Sequence, residues 1–316
     1  MPKQAQQKRA AARINAFSPA KINVFLRIVR KRPDGYHELE TVMLPLDFGD
    51  IITLENRKSG LLLECDHPGL AADDTNIALR AAKLLAEHSG VNRGARITLR
   101  KRTPLAAGLG GGSSNAAAVL AGLNRLWQLN LADKALHHLA AQLGSDVNFF
   151  LARGAAVCRG RGEIIEPVEC KFSGTILLVN PGFGIATKWA YDRWEKTIAG
   201  ARLTGTTPEV SLLLRALAED DLDGVARGLF NSLEAPSVRK FPVLQLLKDT
   251  LCAHGAVGAL MSGSGATVFG LFAEKDKAER AAQRAREQFG PSIWTSVTRF
   301  AERLGVEPSS EDCPVV

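Results

Sequence analysis

Residues 104–123 read PLAAGLGGGSSNAAAVLAGL. Four glycines fall within Gly108–Gly112, two serines follow, and Ala116, Val119, Leu120, Leu123 and Leu126 then recur at helical spacing. That period predicts a buried helix beginning where a glycine loop ends. A helix N-terminus offers unpaired N–H groups and the positive end of a dipole. Glycines let such a backbone close on a ligand with no side chains in the way. Loop and helix start together form a site suited to phosphate. A plainer reading, a turn with Ser113 or Ser114 capping the helix, uses the same residues without a ligand. Two common nucleotide motifs are excluded. No Lys-Ser or Lys-Thr pair closes the loop as in a P-loop. Gly108 and Gly110 are followed by Ser113 where the dinucleotide fingerprint needs a third glycine.

The chain has 316 residues, 46% of them hydrophobic, which allows one large or two ordinary domains with a real core. Its net charge of +7 suits an anionic substrate and equally nonspecific contact with nucleic acid. Much of the excess lies in the acid-free first 32 residues. MPKQAQQKRAAAR (1–13) reads as a disordered basic tail rather than a targeting segment, and 305–316 as a loose end. Cys65, Cys158, Cys170, Cys252 and Cys313 are scattered without metal-ligand spacing. Reduced thiols and a cytoplasmic location are expected. No apolar run reaches spanning length, so no membrane is expected to be involved.

Outward from the loop, ARITLRKRTP (95–104) reads as a strand running into it. INVFLRIVRKR (22–32) is another strand, PDG (33–35) a turn, and LETVMLPLDFGDIITLE (39–55) further strands. TNIALRAAKLLAEHSG (75–90) and LADKALHHLAAQLG (131–144) are amphipathic helices, each closing at glycine. GAAVCRGRGEIIEPV (154–168) is a hairpin and GTILLVNPG (174–182) a buried strand. Beyond it, residues 210–221, 242–255 and 275–289 are helical, and 265–273 and 292–300 are strands. The mixture lacks strict alternation and contains no internal repeat. It predicts an α+β protein of two lobes, 14–172 and 173–304.

Other residues fit chemistry. In SPAKIN, Lys21 and Asn23 are two apart, so on a strand they share a face opposite Ile22 and Val24; a solvent-facing polar pair gives the same pattern. Tyr36 and His37 follow the PDG turn. In LGSDVNFF, Ser145 is placed to cap a helix whose first turn holds Asp146, where the dipole favours a carboxylate. MSGSGATVFG (261–270) is a second glycine-serine loop.

In this order, SPAKINVFL, RPDGYHELETV, DDTNIALRAA, PLAAGLGGGSSNAA, LGSDVNFF, GRGEIIEPV and MSGSGATVFG resemble the GHMP kinases. Within that superfamily they resemble the 4-diphosphocytidyl-2-C-methyl-D-erythritol kinases, which PAKIN followed by PDGYH sets apart from mevalonate, homoserine and galactose kinases. The resemblance spans residues 18–272. It implies an α+β two-lobe GHMP kinase fold, with an N-terminal lobe like a ribosomal protein, a ferredoxin-like C-terminal lobe, and the active site in the cleft between them. It implies ATP-dependent phosphorylation of the substrate's 2-hydroxyl, a step of non-mevalonate isoprenoid precursor synthesis. The ATP phosphates would be wrapped by Pro104, Leu105, Ala106, Ala107, Gly108, Leu109, Gly110, Gly111, Gly112, Ser113 and Ser114, with Asn76 near the adenine. Asp146 would be the general base, Lys21 would favour the developing alkoxide, and Asn23 would position the substrate. Tyr36 and Tyr191 would sandwich the cytosine, His37 would bond its polar edge, and Thr187 would lie close by. Mg²⁺ would accompany ATP, with Ser114 a candidate ligand and no certain metal residue. The partner is a small molecule carrying cytidine diphosphate, with neither nucleic acid nor membrane, and the protein would be a monomer or weak homodimer.

Three positions and one stretch depart from the family pattern. Asn148 stands where many relatives carry proline, Ala106 and Ala107 replace glycines of the loop, and residues 188–210, which include Tyr191, diverge most. The alternatives are another GHMP kinase, acting on a different alcohol without need of Tyr36 and His37, or a non-catalytic RNA-binding protein of the same fold.

Overall fold

The computed structural model describes residues 13–152, 154–198 and 209–301. The terminal tails read from the sequence lie outside them, except that Arg13 opens the first strand.

Two long strands, β1 (Arg13–Lys31) and β2 (His37–Arg57), pair antiparallel over nearly their whole length. The sequence suggests shorter pieces because three register shifts, at Pro19/Lys21, Asn23/Phe25 and Ile28/Arg30, break the alternation on which strand reading depends. The first half continues through β3 (Leu61–Cys65), α1 (Ile77–Ser89), β4 (Gly94–Arg100), α2 (Gly111–Leu126), α3 (Asp133–Leu143), α4 (Val147–Leu151), β5 (Ala156–Gly160) and β6 (Ile164–Pro167). The second half has β7 (Thr175–Asn180), α5 (Thr187–Ile198), α6 (Val210–Glu219), α7 (Leu222–Gly228), β8 (Phe230–Asn231), α8 (Glu234–Lys240), α9 (Val243–Ala253), β9 (Gly258–Met261), β10 (Val268–Phe272), α10 (Lys275–Phe289) and β11 (Trp294–Arg299).

The first sheet runs β3-β4-β2-β1-β8, with β5 on β2 and β6 on β5. Leu79 and Leu85 of α1 and Leu120 and Leu123 of α2 are buried against Ile52, Leu54 and Ile97 of this sheet. The second sheet runs β11-β7-β10-β9, every neighbour antiparallel. Numbered by its own strands, that order is 4-1-3-2, the ferredoxin-like split βαβ arrangement. Another core spans both sheets: Ile22, Val24 and Phe25 of β1 meet Ile176, Leu178, Phe269 and Leu271. Ala107 and Leu109 of the glycine loop are buried in the same cluster, so the loop is fixed between the two halves. Among the described residues no helix is long and apolar enough to cross a membrane.

Candidate active site

The helix starts earlier than the sequence suggests: α2 opens at Gly111, inside the glycine run, and without a side-chain cap. Gly110 is the N-cap of α2 with φ +70°, a left-handed conformation that suits glycine. Neither serine caps. Ser114 is buried and its hydroxyl accepts from Ser18 at 2.8 Å. Gly108, at φ +77°, is needed for space as well: a Cβ there would lie 2.1 Å from the Ser262 carbonyl oxygen. Ala106 also sits at positive φ, +49°.

Bonds from both halves hold the loop. Lys21 N donates to Leu109 O at 3.0 Å, Thr267 N to Ala107 O at 3.2 Å and Ile185 N to Ala106 O at 3.3 Å. Gly108 O accepts both the Lys21 ammonium and the Ser262 hydroxyl at 3.0 Å. The second glycine-serine loop is therefore the clasp of the first. Among the described residues, the N–H groups opening α2 keep the free character that a phosphate ligand needs.

Lys21 and Asn23 share a face of β1, as their spacing predicts, and that face is inward. Lys21 is 4% exposed, and its Nζ donates to Asn23 Oδ1 at 2.6 Å. Asn23 in turn donates to the Thr41 hydroxyl at 2.8 Å. The Lys21 ammonium lies 3.6 Å from the Asp146 carboxylate. Burial pulls the Lys21 pKa below its ordinary value, and Asp146 opposes that fall. The placement of Asp146 corrects one expectation. It is itself the N-cap of α4, in αR conformation and with no cap hydrogen bond, so Ser145 does not cap that helix. The Asp146 carboxylate is thus left for Lys21 and the cavity. Asn148 lies in α4, buried, with its Oδ1 3.1 Å from His137 Nδ1. That bond gives the residue standing in place of proline a structural partner.

These residues line a cavity of about 890 Å³. Residues 104–113 border it apart from Ser114, together with Asn76, Lys21, Asn23 and Asp146, and on another side Tyr36, His37, Thr187 and Tyr191. Asn76 also caps α1: its Oδ1 accepts from Ala78 N at 3.0 Å and its Nδ2 donates to Ala71 O at 2.9 Å. Thr187 Oγ1 lies 3.2 Å from Ser264 Oγ, tying α5 to the second glycine-serine loop. The structure brings Tyr191 onto His37 rather than onto Tyr36. The His37 and Tyr191 rings stack with centroids 4.9 Å apart, and Trp194 meets His37 edge-on at 5.6 Å. His37 Nε2 is 2.9 Å from the Glu195 carboxylate, out of line for a hydrogen bond. Tyr36 is 53% exposed, and the Arg161 guanidinium lies 4.6 Å from its ring centroid.

One polar cluster beside the loop escapes the sequence reading. Asp50 is fully buried and pairs with Lys101, whose side chain is also buried. Asp50 Oδ1 accepts from the backbone N–H groups of Arg102 and Thr103 at 2.8 and 2.9 Å, and Oδ2 from Asn115 at 2.8 Å. One carboxylate thus ties the strand entering the loop to the first turn of α2. The only sequence trace is a lysine just before the loop, hidden in the basic run RKR.

Among the described residues no group of three or more His, Cys, Asp or Glu is placed to hold a metal ion.

Comparison with known proteins supplies the rest. Residues 76–154 match the family model for the GHMP kinases N terminal domain, and residues 213–290 that for the GHMP kinases C terminal. A 4-diphosphocytidyl-2-C-methyl-D-erythritol kinase of Synechococcus sp. (strain JA-3-3Ab) is 41% identical over 285 residues, 89% of this chain and 92% of its own. The enzyme of that name from Alkaliphilus metalliredigens (strain QYMF) is 40% identical over 267 residues, 84% and 89% of the two chains. A crystal structure of a 4-(cytidine 5'-diphospho)-2C-methyl-D-erythritol kinase superposes with a TM-score of 0.75 at 37% identity, covering 91% of this chain and all of that one. With the two-lobe α+β fold and the glycine loop fixed between its halves, these likenesses place the chain in the 4-diphosphocytidyl-2-C-methyl-D-erythritol kinase family of the GHMP kinases.

Proposed function

We propose that this chain uses ATP to phosphorylate the 2-hydroxyl of 4-diphosphocytidyl-2-C-methyl-D-erythritol, yielding the 2-phosphate, a step of non-mevalonate isoprenoid precursor synthesis. The observation that carries the reading is the 3.6 Å pairing of Lys21 with Asp146 in the cavity bordered by the glycine loop.

Phosphoryl transfer asks for positioning and charge neutralisation more than covalent chemistry. Asp146 is free of capping duty and takes the proton of the substrate hydroxyl. Lys21, held by Asn23 and by Gly108 O, keeps its ammonium beside the oxygen that becomes anionic. The backbone of residues 104–113 and the start of α2 receive the ATP phosphates, and Asn76 borders the adenine end. Mg²⁺ bound with ATP would draw charge from the transferring phosphoryl group; Ser114 is buried in a bond from Ser18 and does not border the cavity, so the neighbouring Ser113 hydroxyl, which does, would be the loop oxygen to hold it. Tyr36, His37, Tyr191 and Thr187 receive the cytidine end, with Asn23 positioning the alcohol. The lobe boundary near residue 173 belongs to this reading: β6 ends at Pro167 and β7 opens the second sheet at Thr175. So does a monomer or weak homodimer working in the cytoplasm without nucleic acid or membrane.

The test is ADP release from ATP and Mg²⁺ with and without that substrate, on wild type and Asp146→Asn. Substrate-dependent release that falls ~100- to 10,000-fold in the variant is expected. No stimulation by this substrate would overturn its assignment, and an unchanged variant would overturn the base.

A further inference from the structure

Helix α5 faces two cavities. Thr187, Lys188, Tyr191, Asp192 and Glu195 border the active-site cavity. Trp189, Arg193 and Lys196, at intervals of four and three residues, point into a second cavity of about 550 Å³. Such intervals follow one face of a helix. Both carboxylates of α5 therefore border the first cavity, together with Lys188, while its cations at 193 and 196 border the second with no acid of the helix beside them. Arg239 and Lys240, on α8, complete the second cavity.

Among the described residues none of these four cations has a carboxylate partner within ion-pair distance. A basic last turn complements a helix dipole and accounts singly for Lys196, Arg239 and Lys240. It does not account for Arg193, which lies further back with its guanidinium 5.7 Å from the Trp189 ring centroid. Nor does it account for two helices directing their cations into one hollow. Like charges converging without counter-charge raise the local potential and favour a multivalent anion. The hollow has the size of small-molecule sites.

We propose that the hollow between α5 and α8 is a second anion site, distinct from the active-site cavity, for a small molecule bearing a diphosphate. Its two arginines supply planar forks for phosphate oxygens and its two lysines supply point charges. Occupancy acts on the reaction through α5, because the opposite face of that helix presents Tyr191 and Thr187 to the active-site cavity.

The test is equilibrium dialysis of radiolabelled inorganic pyrophosphate against the full chain. A saturating non-hydrolysable ATP analogue occupies the glycine loop, and free Mg²⁺ is held constant. Wild type is expected to hold one pyrophosphate per chain, more weakly as salt rises. Arg239→Gln/Lys240→Gln is expected to weaken it at least tenfold while binding the ATP analogue normally, which also shows that the variant is folded. Arg193→Gln/Lys196→Gln gives an independent second reading from α5. Equal binding by wild type and both variants would place pyrophosphate elsewhere and overturn the site. The KM for the cytidine-bearing substrate should shift at least threefold with pyrophosphate in wild type and not in Arg239→Gln/Lys240→Gln; a constant KM in wild type would overturn the coupling. Absence of turnover under all conditions counts against the proposed reaction and leaves the dialysis result standing.

Discussion

Burial makes the Lys21 ammonium costly to keep, and its partners recover only part of that cost. Its pKa lies below the ordinary 10.5, so in the window between the lowered value and 10.5 the unfolded chain binds more protons than the folded one. Stability from this group therefore rises with pH across that window. Lys21→Met lacks the effect. In denaturation series from neutrality to pH 10.5, wild type should gain stability relative to the variant as pH rises, and parallel curves would refute the assignment. Tyr36 offers a second check. A base stacked on one aromatic ring is worth about 1–3 kcal/mol, so Tyr36→Ala should raise the KM for the cytidine-bearing substrate ~5- to 150-fold while leaving that for ATP in place. At this scale the sequence discloses residues whose neighbours in the chain set their direction. Two-residue spacing puts Lys21 and Asn23 on one face. It does not say that the face is inward, because the register shifts on either side of them are tertiary features. Asp50 and Lys101, far apart in the chain, match no motif.

Among the elements, the start of α2 depends on that unannounced pair. Removing Asp50 alone strands a buried lysine together with the N–H groups of Arg102 and Thr103. Breaking a buried ion pair on one side typically costs about 3–5 kcal/mol, whereas apolar replacement of both partners costs less. Asp50→Ala should be destabilised by about that much in denaturant titration, and Asp50→Leu/Lys101→Met should recover part of it. A double variant no better than the single one would show that the backbone bonds, not the ion pair, carry the effect. The helices and most strands are legible from hydrophobic period and glycine stops: α1 ends at Gly90 in the left-handed conformation that its sequence announces. The two-residue β8 is not legible, since pairing with β1 rather than any pattern of its own makes it a strand.

For the whole molecule, the glycine loop is where the halves meet, so a ligand on it strengthens their union. A nucleotide bound only by the folded state at a hundred times its Kd adds about 2.7 kcal/mol. An ATP analogue should therefore raise the Tm of the entire chain in one cooperative transition. Two separated transitions, only one of them shifted, would show that the lobes unfold independently. Two-lobe α+β character is readable from the order of elements. The seam between the lobes is not, because Ile22 and Phe269 join one core from opposite ends of the chain.

The clasp of the glycine loop has a consequence for biosynthesis. Gly108 O waits for the hydroxyl of Ser262, 154 residues later. At about 5–20 residues per second on the ribosome, that interval lasts roughly 10 to 30 seconds. Throughout it, the nascent chain holds the glycine loop by the Lys21 bonds from its own half, and a polypeptide released before β10 would be an unfinished lobe whose loop lacks the Thr267 bond from the other.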